Sequence, residues 1–546
     1  MQYVLPFILA MAVTMAGLPL FVRLANKWLL VDQPGGRKVH AAPVPRVGGL
    51  AMACGVLVAA VATLNLQPSD RWLLLAAAVM LAFGVLDDRF DIDYRLKLIG
   101  QIFAVSIVVF AGGVQIHSFT LEDSIPLPEW IAIPLTVFFL VGITNAINLA
   151  DGLDGLAGGT IFLCLCAVAL LSSIGESGHA TALALTFAGA VLGFLRFNTY
   201  PASVFMGDAG SQMLGFVIGV LCIRATQNPS SEISATIPIL LLALPILDTL
   251  SVMVQRIGEG RSPFSPDRNH IHHKLLALGF QHYEAVTLIY TLQAALFVAA
   301  YFLRFESDLL ILLVVSAFYA VAISLFQLAV RTGWRLRPAG ATPAIASESA
   351  TEGARLKNYL PLWTSAAIAI ALAVYASLAL FETPGDSSDI RLLILALLML
   401  ITTFLAVRRT APLLLIEKGA LFSTATMLVY LDAAATDTDE RIAALSWAAI
   451  AVAAAATAIR LRLRNDRRFR LTPLDLIVVF MALIVPSIPG VFRLPHGGAL
   501  AIIKLVIVFY ALEMLIARSE NHAAWMRIAG ISLLAALTLR SFGIFR

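Results

Sequence analysis

The sequence predicts an all-α polytopic integral membrane protein, and three observations carry that prediction. Hydrophobic residues make up 60% of the 546-residue chain and charged residues only 13%, for a mean hydropathy of +0.88. A soluble protein carries about twice that share of charge. The apolar residues fall in continuous runs near the ~20 residues a helix needs to cross a bilayer, rather than in the alternating pattern of a β-barrel. The polar segments between the runs alternate in character, which gives the bundle a direction.

Taken in order, about eleven spans are expected at 3–22, 48–66, 71–86, 97–115, 129–147, 158–174, 180–196, 211–224, 236–256, 285–303 and 308–330. The first has no basic leader and is long enough to span, so it reads as a retained helix and not a cleaved signal. Loops after the odd-numbered spans are long, polar and basic: Arg23, Lys27, Arg37, Lys38 and Arg46, then Arg89, Arg95 and Lys97, then Arg256, Arg261, Arg268 and Lys274. The loops after the even-numbered spans lack that density. The positive-inside rule then makes the basic face cytoplasmic and puts the N-terminus outside. Cys54, Cys164, Cys166 and Cys222 all lie in apolar runs and read as packing residues, with neither a disulfide framework nor a zinc site implied.

Residues 331–357 are basic, then small and polar, and read as a cytoplasmic linker. About seven further spans follow within 358–546, at 358–381, 391–407, 411–431, 441–458, 472–490, 499–517 and 524–542. The basic LRLRNDRRFR falls inside and the acidic ETPGDSSD and LDAAATDTDE outside, in keeping with the same topology. This extension has no dense polar motif; Lys418, Asp475 and Lys504 stand alone in the sequence, and a packing or partner module is the plain reading.

The chemistry gathers on the basic face. NAINLADGLDGLAGG (145–159) places Asn145, Asn148, Asp151 and Asp154 three apart, so on a helix they share roughly one face. It reads either as a small-residue polar turn that lets helices pack closely or as an oxygen-donor site for a hard cation and phosphate. Asp87 and Asp88 are adjacent carboxylates at a helix end, with Asp91 and Asp93 close behind. Such neighbours repel unless a cation or proton lies between them. FNTYPASVFMGDAGSQ (197–212) offers Asn198, Phe205 and Asp208; Asp208 is either a plain helix N-cap or a site residue among glycines that admit a ligand. His270, His272 and His273 cluster with Arg268 and Lys274. No cysteine accompanies them and carboxylates abound elsewhere, which favours magnesium over zinc and makes the imidazoles donors to phosphate oxygens. Carboxylates for a divalent cation beside Arg, Lys and His for a polyphosphate are the equipment of phosphoryl transfer at a membrane surface.

VLDDRFDIDYRLKLIGQ, NAINLADGLDGLAGG, FNTYPASVFMGDAGS and DRNHIHH, with RKVHAAPVPRVGG in the first loop, resemble the motifs of the polyprenyl-phosphate N-acetylhexosamine-1-phosphate transferases, in order and over residues 1–330. The resemblance is to the branch that starts O-antigen, common-antigen and teichoic-acid synthesis. It departs from the peptidoglycan branch in the histidine motif and first loop, so UDP-MurNAc-pentapeptide is not the expected donor. The resemblance implies transfer of N-acetylhexosamine-1-phosphate, GlcNAc-1-phosphate first among the candidates, from the UDP-sugar to undecaprenyl phosphate, releasing UMP. It implies Mg²⁺, with Mn²⁺ as a substitute, in a bacterial inner-membrane enzyme whose site faces the cytoplasm. It further implies catalytic roles for Asp87, Asp88 and Asp208, the last two holding the metal. Substrate contacts would come from Lys97, Asn148, Asp151, Asp154 (toward uracil), Asn198, Phe205 (stacked on the base), His270, His272 and His273. Expected partners are the two substrates and membrane lipid, a homodimer, and polysaccharide-pathway proteins through the C-terminal extension; no nucleic acid is expected. The rival class is a transporter or flippase, open chiefly for the extension, but such sites usually lie near the midplane on interrupted helices, whereas these acids lie at span ends.

Overall fold

The computed structural model describes residues 3–33, 43–120, 124–175, 177–228, 231–262, 269–337, 354–382, 440–462 and 498–516, with 422, 425, 426, 428, 429, 432, 473 and 477 among them. Helices occupy every apolar run expected in the first 330 residues: α1 Val4–Trp28, α2 Gly48–Thr63, α3 Pro68–Phe90, α4 Tyr94–Ser106 with a π-turn Ile107–Ala111, α5 Glu129–Ala150, α6 Leu156–Ile174, α7 Gly178–Asn198, α8 Gly207–Thr226, α9 Ile237–Leu241, α10 Ala243–Gly258, α11 Ile271–Ala277, α12 His282–Phe302 and α13 Asp308–Thr332. Two short hairpins, β1 Val31–Asp32 with β2 Val44–Pro45 and β3 Ser118–Thr120 with β4 Ser124–Pro126, are the sheet content among the described residues. Nine described helices are long and apolar enough to cross a bilayer, so this is a multi-pass membrane protein.

α6, α7 and α8 form the buried centre, wrapped by α1, α2, α3, α5 and α12. Glycine lets backbones meet where the site will sit. A Cβ on Gly84 of α3 would lie 2.4 Å from Ala209 Cα of α8, and one on Gly49 of α2 would lie 2.4 Å from Gly210 N. Charge that lies deep in the bundle is matched. At the far end of α3 and α8, Arg224 donates to Asp70 at 2.8 Å and to the Ser69 carbonyl at 2.6 Å.

The span expected at 236–256 is interrupted: α9 ends at Leu241 and α10 begins at Ala243. Pro245 has no N–H and crowds the carbonyl four residues back, that of Leu241. Buried Gln293 of α12 donates to that carbonyl at 2.8 Å and so satisfies an acceptor exposed at the break.

In the extension, α14 Ala354–Glu382, α15 Glu440–Arg462 and α16 Gly498–Ile516 pack together. The spans expected at 391–407, 472–490 and 524–542, most of 411–431, the 338–353 stretch of the linker, Lys418 and Asp475 lie outside the described residues, apart from positions 473 and 477. Lys504 is not alone as the sequence suggested. It pairs with Asp432, which also accepts from Tyr375 and Ser446, each at 3.2 Å, and its ammonium lies 4.6 Å from the Trp447 ring centroid. The extension docks on the core through Glu513 of α16, which pairs with Arg196 of α7, and through Phe422, whose ring lies 4.5 Å from the Arg196 guanidinium carbon.

Candidate active site

The site forms where α3, α5, α7 and α10 end and α4, α6, α8 and α11 begin. α3 runs on past its apolar run to Phe90, which presents Asp87 and Asp88 to different neighbours. Asp88 turns to the start of α8: the N–H groups of Asp208 and Ala209 donate to its two oxygens, each at 3.0 Å. The carboxylate therefore caps a helix remote in sequence, where orphan amides and the positive dipole end favour an anion. Gly207 makes this fit. It has φ +72°, and a Cβ there would lie 2.4 Å from Asp88 Oδ2.

Asp87 is the opposite case. Its side chain is 1% exposed and lies against two side chains, the Lys97 ammonium of α4, with which it pairs, and the Asp208 carboxyl. The same ammonium stands 3.6 Å from Asp208 Oδ2. Asp208, with 35% of its side chain exposed, opens to the cleft, and its Oδ1 accepts from Asn148 Nδ2 at 2.8 Å. Asn148 also donates to Ser211 at 2.8 Å, fixing α5 against α8. On the other side, Arg46 pairs with Asp32 and reaches within 3.8 Å of Asp88. A backbone ladder holds Arg46 there, with Phe205 N–H donating to Pro45 at 2.8 Å and Gly48 N–H to Phe205 at 3.0 Å.

Asp151 follows the last residue of α5 and is exposed to the cleft. Protein packed around the rest of its carboxyl, and then the Asp208, Asp88 and Asp154 carboxylates, push its pKa up to about 7. His272 closes the wall beside it: a Cβ on Gly152 would lie 2.2 Å from His272 Nε2. That nitrogen is buried without a hydrogen-bond partner, and burial followed by the neighbouring His273 lowers the imidazole to about 4. His272 is thus a neutral ring at pH 7. The His270 and His272 rings stack at 5.8 Å, and those of His272 and His273 lie 4.3 Å apart.

Among the described residues, no three His, Cys, Asp or Glu side chains converge as a metal cage. A Mg²⁺ ion does not require one, since it keeps several waters and takes one or two carboxylates together with substrate phosphates. Buried Asp87 and the more open Asp208 face each other, share one ammonium and fit such an ion.

A family model described as glycosyl transferase family 4 matches residues 71–226, the segment from α3 to α8. A probable undecaprenyl-phosphate N-acetylglucosaminyl 1-phosphate transferase of Bacillus subtilis is 37% identical over 293 residues, which is 53% of this chain and 81% of that protein. This chain belongs to that family. A decaprenyl-phosphate N-acetylglucosaminephosphotransferase of Mycobacterium leprae is 37% identical over 49% of the chain and 75% of its own length. An undecaprenyl-phosphate alpha-N-acetylglucosaminyl 1-phosphate transferase of Escherichia coli is 31% identical over 58% and 87%.

In this family 4 member, Asp87, Asp88, Lys97, Asn148, Asp151, Phe205, Asp208, His270, His272 and His273 do meet at one end of the bundle. Several expectations change in detail. Helix α5 stops at Ala150, so Asn145, Asn148, Asp151 and Asp154 do not share one helical face. Asn145 turns inward instead, donating to Gln101 at 2.7 Å in a network that also joins Gln212. Asp208 is not an N-cap; Asp88 does the capping. Asp154 accepts from the Ala202 N–H at 2.8 Å. Asn198, 4% exposed, accepts from the Gly155 N–H at 3.0 Å and donates to the Val204 carbonyl at 2.9 Å. Both tie the 151–155 loop to the 199–206 loop, a positioning role in place of the donor contact expected for Asn198. Arg37, Lys38, His40 and Arg268 lie outside the described residues. Asp248 of α10 was missed. It accepts from His270 Nδ1 at 2.9 Å and from the Ile271 N–H at 2.6 Å. The available signal was a lone carboxylate inside an apolar run, which is costly without a partner.

Proposed function

We propose that this chain transfers GlcNAc-1-phosphate from UDP-GlcNAc to undecaprenyl phosphate, giving undecaprenyl-diphospho-GlcNAc and UMP, as the first step of a cell-surface polysaccharide. The relatives' names support the substrates. The observation that carries the reading to these residues is Asp208, open to the cleft, fixed by Asn148 and sharing Lys97 with buried Asp87.

In the proposed reaction an oxygen of the lipid phosphate attacks the sugar-linked phosphorus of the donor. A new P–O bond forms there, the P–O bond to the bridging oxygen breaks, and UMP leaves with the electron pair. Asp208 and Asp87 would hold Mg²⁺, or Mn²⁺ in its place, which when bound neutralises charge on the donor diphosphate. Lys97 and Arg46 flank the carboxylates and offset the phosphates' charge. Asp88 holds the start of α8, and so Asp208, in register. The histidine wall meets phosphate oxygens, while Phe205, half-buried beside Arg46, offers a face for uracil. Asp151, with its raised pKa, accommodates a proton at neutral pH. The site faces the cytoplasm of a bacterial inner membrane, in keeping with the basic loops on that side.

The test mixes purified full-length protein with UDP-GlcNAc, undecaprenyl phosphate and magnesium. UMP and lipid-linked sugar are expected to appear together, and EDTA to stop both. Absence of a lipid product with every UDP-N-acetylhexosamine overturns the proposal.

A further inference from the structure

We infer that Asp248 is a positioning residue for phosphate recognition: from inside α10 it fixes the ring of His270 and, through it, the nitrogen offered to the substrate. The inference rests on the proposed function, since it takes the His270 segment to face a substrate phosphate.

Asp248 and His270 are each about 5–6% exposed, and the carboxylate divides its oxygens between two donors of the same segment. Oδ2 takes His270 Nδ1 at 2.9 Å and Oδ1 takes the Ile271 N–H at 2.6 Å. A carboxylate accepts only, so Nδ1 carries the shared proton, and a ring held this way donates to a phosphate oxygen from Nε2 as the imidazolium, whose charge the carboxylate balances. The second bond matters as much. Ile271 is the first residue of α11, so one side chain sets both the ring and the backbone that carries it. His270 then stacks parallel to His272, at an interplanar angle of 5°, and His272 packs on Gly152 beside Asp151. Asp248 thus anchors the histidine wall to α10, the arrangement by which an outer carboxylate orients a ligating imidazole.

Asp248→Asn separates positioning from folding. Its amide oxygen can still accept from Ile271, but its NH₂ would face Nδ1, which must then give up its proton to accept, so the ring loses the positive charge with which it meets phosphate. The full chain is assayed as wild type, Asp248→Asn, His270→Gln and the double variant, with kcat/KM for UDP-GlcNAc and the thermal midpoint recorded. Each single variant is expected to lose about 10–100-fold in kcat/KM. The double variant is expected to fall no more than about threefold below the worse single one, because both changes remove one interaction. Midpoints should stay near wild type. Multiplying losses, or an Asp248→Asn variant with wild-type kcat/KM, overturns the inference while the proposed reaction stands. A wild-type chain that releases no UMP overturns the reaction instead, and the same four proteins are then compared by UDP affinity. Coupled losses of affinity there support the Asp248–His270 unit, and multiplying losses or unchanged affinity overturn it.

Discussion

Two aspartates on one helix meet opposite fates. Asp70 and Asp87 both belong to α3, near its two ends, and both are almost fully buried. Asp70 is saturated: it accepts from Arg224 at 2.8 Å and from the Gln67 N–H at 3.0 Å, with His179 at 3.4 Å. Asp87 faces a second carboxyl, Asp208, and the two share one cation. Burying a charge is costly unless it is paired and hydrogen-bonded, so a satisfied carboxylate needs no explanation beyond structure. Two carboxyls that share one ammonium leave a negative charge that a further cation can offset. The contrast separates structural charge from functional charge on the same element.

The comparison can be broken by four measurements. Asp208→Asn should have the largest effect, lowering kcat by at least about 10²–10³-fold while the protein stays folded, since it removes preorganised electrostatics at the reacting phosphates. Near-normal turnover would put the metal elsewhere. Asp87→Asn should lose about 10²-fold in kcat yet keep or raise its thermal midpoint, because a carboxyl that faces another carboxyl is removed while Lys97 retains Asp208. Asp70→Asn should reverse that pattern. Turnover should stay within about threefold, but the midpoint should fall by several degrees, as breaking a buried pair costs about 3 kcal/mol or more. If Asp87→Asn destabilises and Asp70→Asn inactivates, the contrast is wrong.

The smallest effect is a pH dependence. His272 is lowered in the folded state from 6.5 to about 4, so the unfolded chain binds its proton first as pH falls. Its contribution to stability is present above about 6.5 and declines from there toward about 4. His272→Gln should flatten unfolding midpoints over that window, and an unchanged slope would mean the ring is solvated.

Much of the site was legible because polar residues in a membrane chain have few places to go. Asp87, Asp151, Asp208 and His272 stand at span ends that the basic loops assign to one face, and helices of similar length bring one-sided ends together. Other parts were not legible. The sequence shows Asp88 and Asp208 as two similar acids. Only the contact between α3 and α8 makes one a cap and leaves the other open. Nothing local to Asn198 or Asp154 announces that their partners are the backbone of a loop some 43–48 residues away. Asp248 was visible as an anomaly in an apolar run, but its partner is 22 residues on, across a break in the helix path.

The sequence by itself determined the helical membrane class and the end of the bundle at which the polar motifs gather, because desolvation penalties act on each residue wherever it is placed. The tertiary structure alone decided which carboxylate caps a helix, which two share a lysine and which histidine is held by an aspartate. Those are properties of pairs separated by tens to more than a hundred residues, and hydrogen bonds a few ångströms long are set by packing that no local pattern encodes.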